Sequence, residues 1–156
     1  GTLSATKNWM LTSDSDCSVS NLQLIEWLNN YYISQKYKIY FGSRNNIFSK
    51  VKKKKYREII GIIFRLIILF LFDIKSSDTQ CGFKLYKLNA ARKIFKKIKT
   101  DGYLHDVEIY IIAKKLKLDI KELPVTWTHK SNGKINILKD GLKIIFSLFK
   151  IKYTQY

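Results

Sequence analysis

Proline occurs once in 156 residues, methionine once and cysteine twice. Cys17 and Cys81 lie far apart and form no Cys-x-x-Cys pair, which excludes a disulfide scaffold and a structural zinc knot. Pro/Gly/Ser-rich stretches and internal repeats are absent, so nothing divides the chain into linked units. Acidic residues are scarce, 12 against 29 Lys and Arg. No apolar run reaches the roughly 20 residues a spanning helix needs. The most apolar stretch, Ile59 to Phe72, is short and interrupted by Arg65.

Apolar residues make up 46% and aromatics 14%, enough for a core and too much for a disordered chain. The formal charge is +17. It points to a polyanionic partner: nucleic acid, an anionic membrane surface or a phosphorylated substrate. The cluster Lys52–Lys55 precedes the Ile59–Phe72 stretch, an arrangement suited to a helix lying in a bilayer interface. A second amphipathic helix is predicted over about 137–153. Leu138, Leu142, Ile145, Phe146 and Phe149 form its stripe, and Lys139, Lys143 and Lys150 lie off it. Either stripe alone equally suits burial in a core, but two of them beside this much lysine favour a membrane surface.

Along the chain, Trp9–Ser13 reads as a short buried strand, central in its sheet. Ser20 and Gln23 form a capping box for a helix from Asn21 to about Gln35, with Leu22, Ile25 and Leu28 on one face. Tyr37–Phe41 alternates as a strand does and Gly42 closes it; a polar loop runs to Ser49. A long helix is predicted from about Lys54 to Phe72, a loop over 75–80 and a strand over Gly82–Tyr86. A basic helix follows from Asn89 to about Ile98, with Ala90, Ile94 and Ile98 inward. After an Asp101-Gly102 turn come a helix over His105–Leu116, a strand over Ile120–Val125 and a loop over Thr126–Lys134. Alternating strands and helices make the class α/β.

Four segments carry groups able to do chemistry. Asp14-x-Asp16 follows a strand, at the sheet edge where open α/β folds bind ligands. Two such carboxylates suit a hard cation such as Mg²⁺ or Mn²⁺ that also grips a diphosphate; they equally suit a helix-entry turn. Ser77-Asp78-Thr79-Gln80-Cys81-Gly82-Phe83-Lys84 sets one acid beside amide and hydroxyl donors. Asp106-Val107-Glu108 opens a helix, where carboxylates also serve as caps. The basic loop Trp127–Lys134 could close over phosphates or be a solvated turn. His105 and His129 have no evident partner.

The order of these segments resembles the family-2 glycosyltransferases that load a sugar onto a polyprenyl phosphate. The likeness is nearest to the dolichyl-phosphate β-glucosyltransferase group, with mannosyl-transferring synthases as cousins, and it covers the chain from Gly1 to about Tyr153. Its most specific part is Asp78–Lys84. It implies a nucleotide-sugar-binding, Rossmann-like mixed sheet of the GT-A type with amphipathic surface helices, and a metal-dependent, inverting hexosyl transfer. The donor would be a nucleotide sugar, UDP-glucose first, and the acceptor a polyprenyl phosphate. Catalysis would take place at an anionic membrane surface, on its cytoplasmic side, with no nucleic acid involved. Asp14 and Asp16 would bind Mg²⁺ or Mn²⁺. Arg44 and Arg57 would face phosphates, Asp78, Thr79 and Gln80 would line the sugar and acceptor pocket, and Asp106 would lie near the reacting centre. Lys134 would sit in a mobile loop after Trp127.

The chain departs from the family pattern in three places: Ser77 stands for an arginine, His105 for a phenylalanine, and Asn132-Gly133-Lys134 for Gly-Ser-Lys. The likeness further implies that residues 1–156 are the carboxyl-terminal part of one catalytic domain. The first strand and the base-reading acid would then precede Gly1, and this stretch alone would have weak or no activity. The competing reading is a non-catalytic basic protein that binds a membrane surface or nucleic acid.

Overall fold

The computed structural model describes residues 2–52, 55–100, 102–128 and 137–154. Its centre is a four-stranded mixed sheet in the order β1-β4-β2-β5. β1 is Trp9–Thr12, β2 Ile39–Ser43, β4 Lys84–Lys87 and β5 Ile120–Pro124. β4 runs antiparallel to both β1 and β2, while β2 and β5 are parallel, with Ile39 opposite Ile120 and Ser43 opposite Pro124. β3 (Lys50–Lys52) and β6 (Thr126–Thr128) form a separate parallel pair. The helices are α1 (Leu22–Asn29), α2 (Lys55–Phe72), α3 (Leu88–Phe95), α4 (His105–Lys115) and α5 (Ile137–Lys152). The mixed α/β class expected from the sequence is what forms.

Strand alternation splits the core into two layers. Ile39, Phe41 and Tyr86 face one side, where Ile68 of α2, Ala90 and Ile94 of α3, Ile112 of α4 and Leu148 of α5 pack on them. Tyr40, Leu85, Phe83 and Leu123 face the other side, covered by Trp27 of α1. Gly42 sits at the crossing of β2 with its neighbours. A Cβ there would fall 2.7 Å from Val125 Cγ1 and 3.0 Å from the Phe83 carbonyl, so only glycine lets β2 lie this close.

Several sequence expectations change. β1 is half-buried and forms the edge of the described sheet rather than a buried central strand. α1 ends at Asn29, not near Gln35, because Tyr31 adopts a left-handed backbone (φ 54°) and the Asn30 amide donates to the Glu26 carbonyl at 2.8 Å. Its expected apolar face is reversed: Leu22, Ile25 and Leu28 are exposed and Trp27 is fully buried, its indole N–H bonded to Pro124 O at 2.7 Å. Ser20 Oγ accepts from Leu22 N, but Gln23 does not complete a capping box; its Oε1 accepts from Thr126 N at 2.7 Å. Residues 126–128, read as loop, pair with β3, a strand the sequence did not suggest. In α5 the described part of the expected stripe faces out of the core rather than into it. Ile144, Leu148 and Ile151 pack inward, leaving Ile145, Phe146 and Phe149 exposed. Leu138, Leu142 and Lys139 have side chains outside the described residues. Among the described residues no helix is long and apolar enough to cross a membrane.

Candidate active site

Three loops leave the sheet at one edge. The turn after β1 carries Asp14 and Asp16, the loop after β2 starts at Arg44, and the segment entering β4 carries Asp78 to Gly82. The amino end of α4 adds Asp106.

The most rigid part is the Arg44–Asp78 pair. The guanidinium donates from Nε to Asp78 Oδ2 at 2.7 Å and from Nη2 to Oδ1 at 2.8 Å, and the Arg44 backbone N–H adds a bond to Oδ2 at 2.9 Å. Gln80 N–H donates to Oδ1 at 3.1 Å. Such bidentate geometry is the strong form of a carboxylate–guanidinium contact. Burial pushes the Asp78 carboxyl up, but the hydrogen bonds and charge of Arg44 outweigh it and hold the group below the usual aspartate range. Arg44 also lies over the Trp127 ring, 5.7 Å from its centroid. Asp78 is 4% exposed at its side chain and Arg44 27%. The arginine therefore keeps an outward side.

Beneath this pair sits Glu122 of β5, which the sequence reading gave no part. It accepts from the hydroxyls of Ser76 and Ser77, from Ser77 N at 3.0 Å and from Tyr110 OH at 2.9 Å. Ser77 Oγ also meets Ser43 Oγ at 2.5 Å. The one acid in the strand, beside Lys121, was the only sequence signal for it. Thr79 is buried, and the Gln80 Nε2 is buried with no hydrogen-bond partner among the described residues. Burial pushes the Cys81 thiol up to about 12, so it is no nucleophile at neutral pH.

The other half of the site is a cluster of charges. Lys84 on β4 is 1% exposed and its ammonium is paired with Asp106. Asp14 lies against the α-carbon of Gly82, leaving no room there for a Cβ. Its carboxyl is pushed up by burial first and by the charge of Asp106 next; Lys84 pulls it down, Asp16 raises it and Arg44 lowers it. Asp14 thus feels the charges of Asp16, Asp106, Lys84 and Arg44. Asp16 accepts from Ser18 N at 2.8 Å and from Ser18 Oγ at 2.7 Å. Tyr103 borders the same place: burial raises its hydroxyl, Arg44 lowers it, and Asp78 and Asp106 raise it. Among the described residues no three His, Cys, Asp or Glu side chains are grouped to hold a metal ion unaided.

Glu108, two residues beyond Asp106, has a different task. Fully buried, it accepts from Lys99 N and Thr100 N, both at 2.9 Å, and from the Thr100 hydroxyl, tying the α3–α4 connection to α4. The backbone of Arg57 lies in the first turn of α2; its side chain, and all of Lys134, fall outside the described residues.

No protein-family model matches the chain. Curated proteins do. The dolichyl-phosphate β-glucosyltransferase of Saccharomyces cerevisiae is 31% identical over 144 residues, 90% of this chain and 43% of its own length. The protein of that name from Dictyostelium discoideum is 30% identical over 115 residues, 72% of this chain and 35% of its own. That of Homo sapiens is 31% identical over 96 residues, 60% and 30% respectively. The chain thus spans less than half the length of the curated relatives it matches.

Proposed function

This chain is a relative of the dolichyl-phosphate β-glucosyltransferases, and from that premise we propose that the protein it belongs to transfers glucose from a nucleotide sugar, UDP-glucose first, to dolichyl phosphate. The proposal includes a GT-A type sheet, a bound Mg²⁺ or Mn²⁺, inversion at the sugar carbon, and a position at the cytoplasmic face of a membrane. The observation that carries it is the meeting of Asp14, Asp16, Asp106, Lys84 and the Arg44–Asp78 pair at one sheet edge.

The chemistry follows from the acceptor. A phosphate monoester has a second pKa near 6, so at neutral pH it is a dianion and needs no strong base. Its oxygen forms the new bond to the anomeric carbon as the bond to the nucleoside diphosphate breaks, the electron pair leaving with the diphosphate. Arg44 is the phosphate-facing group. Asp78 occupies Nε and one Nη hydrogen of it, and the remaining donors are left for an anion. Asp78 then acts through Arg44. Thr79 and the Gln80 Nε2, which has no partner among the described residues, border the sugar. Asp106, fixed by Lys84, is set to stabilise positive charge developing on the sugar.

The donor set fits a metal that is also held by substrate. Asp14 and Asp16 supply hard oxygens and raise each other's negative potential. Mg²⁺ characteristically takes one or two carboxylates and completes its shell with phosphates and water. When bound, the ion supplies Lewis-acid stabilisation of the departing diphosphate. The test is transfer from UDP-glucose to dolichyl phosphate by the full-length gene product with Mg²⁺ or Mn²⁺. Asp16→Asn is expected to slow it by more than about tenfold, equivalent to about 1.4 kcal/mol; a smaller effect removes the metal role.

The membrane position is supported by exposed apolar side chains on two helices. Ile59, Ile63, Leu66 and Phe70 of α2 and Ile145, Phe146 and Phe149 of α5 all face outward. Lys143 and Lys150 accompany them on α5. The carboxyl ends of the two helices flank one cavity, lined by Leu71, Phe72, Ile111 and Ile151. Phe70 and Phe146 are 87% and 74% exposed, so changing both to Ser leaves the core intact. Each buried Phe contributes about 1.5–3 kcal/mol. The double variant should therefore sediment with phosphatidylserine-containing vesicles at least about tenfold less, with an unchanged thermal midpoint.

A further inference from the structure

We propose that Lys84 is a positioning residue: its ammonium fixes Asp106 and supplies the counter-charge that lets Asp14 and Asp106 occupy the same end of the sheet. The proposal rests on the glucosyl-transfer reading for its catalytic consequence and on the geometry alone for its electrostatic one. Lys84 stands in the middle of the sheet, opposite Thr12 of β1 on one side and Phe41 of β2 on the other. It shares a sheet face with Tyr86, and its ammonium lies 5.0 Å from the centroid of the Phe41 ring. Lysine is almost never this buried unless paired, because withdrawing an ammonium from water is strongly unfavourable. A methionine would fill the same space without that cost. What the lysine adds is a positive charge facing two acids that arrive from different elements.

Those acids need it. Asp106 reaches Lys84 from the first turn of α4. Asp14 arrives from the turn after β1 and is pressed onto Gly82, two residues from Lys84 on the same face. Asp14 feels Asp106 as a repelling charge and Lys84 as an attracting one. With the lysine, the three groups carry a net charge of about −1, a value a cation or a sugar cation can use without the acids driving each other apart.

The test is a charge ladder read by Mn²⁺ binding, measured as the loss of the free-ion electron paramagnetic resonance signal at fixed ionic strength. The proteins are the wild type, Lys84→Gln, Asp106→Asn and the double variant, all in the full-length gene product. Their net charges at the cluster are about −1, −2, 0 and −1, and each unit step should move Mn²⁺ affinity by about fivefold or more. Lys84→Gln is thus expected to bind more tightly than wild type, the double variant like wild type, and Asp106→Asn more weakly. Turnover of Lys84→Gln should fall by about 100-fold or more, with the UDP-glucose KM within about threefold. The double variant should be no slower than Asp106→Asn. If Lys84→Gln does not fold, Asp106→Asn and the double variant, which differ only at Lys84, give the same comparison. Affinities that ignore Lys84, or losses of turnover that multiply in the double variant, overturn the proposal. An intact ladder in a protein that transfers no glucose supports the electrostatic role and rejects the glucosyl-transfer reading.

Discussion

Arg44→Met is expected to remove about 3 kcal/mol of stability at neutral pH and to abolish transfer. Breaking a buried ion pair from one side leaves an uncompensated charge, which costs about 3–5 kcal/mol; the partial exposure of Arg44 argues for the lower end. Asp78 would keep only the backbone N–H donors of residues 44 and 80. The pH dependence gives the sign. In the wild type the folded Asp78 pKa is depressed, so the pair's contribution is present above the ordinary aspartate value of about 3.9. It is lost as pH falls below that, through the depressed value. In the variant, burial acts without Arg44 to oppose it. The carboxyl pKa then rises above its ordinary value, and protonation relieves the folded state as pH drops from neutrality. The stability gap between the two proteins must therefore narrow toward acid. Urea midpoints at pH 7.5 and pH 4.5 measure it, and a gap that does not change with pH would mean that Asp78 finds another partner.

Gly82→Ala is expected to separate folding from activity. Gly82 does not have a positive φ, so alanine can adopt its backbone conformation without strain. The obstruction is the Asp14 side chain, whose Oδ1, Cγ and Oδ2 all lie within contact of the new methyl group. Asp14 belongs to an exposed turn and can swing away at little cost to stability. Transfer should nevertheless fall by about 100-fold or more, equivalent to about 2.7 kcal/mol, because the carboxylate leaves its place beside Lys84 and Asp106. The control is Asp14→Ala. Adding Gly82→Ala to it should cost no further activity, whereas a multiplied loss would show that the methyl group acts on something else.

Both experiments bear on groups that local sequence could and could not reveal. The sequence singles out Asp14, Asp16, Arg44, Asp78 and Asp106 because they lie at strand ends, in loops or at a helix start, and the order of their segments carries the family likeness. The partnerships among them were not legible. Nothing near residue 84 announces that its ammonium will be covered by a helix 22 positions on, and Glu122 meets Ser76 and Ser77 across some 45 residues. α3 buries the face expected of it, with Ala90 and Ile94 inward, but in α1 and α5 helical spacing did not decide which stripe turns inward. α5 offers two apolar stripes at helical spacing, one through Ile144, Leu148 and Ile151 and the other through Ile145 and Phe149; period alone cannot rank them. In α1 the indole of Trp27, with its bond to Pro124, decides the orientation against three smaller side chains. β3 and β6 are three residues each and pair across more than 70 positions, a contact no local pattern encodes.

The placement of β1 has a dynamic consequence. Among the described residues it is bonded to β4 alone, whereas β2, which delivers Arg44, is bonded on both sides. The two banks of the cleft are therefore moored unequally. The guanidinium bank opens only with the interior of the fold, while the carboxylate bank can loosen by itself when one ladder frays. A cleft built this way holds one end of its cargo fast and lets the other end adjust.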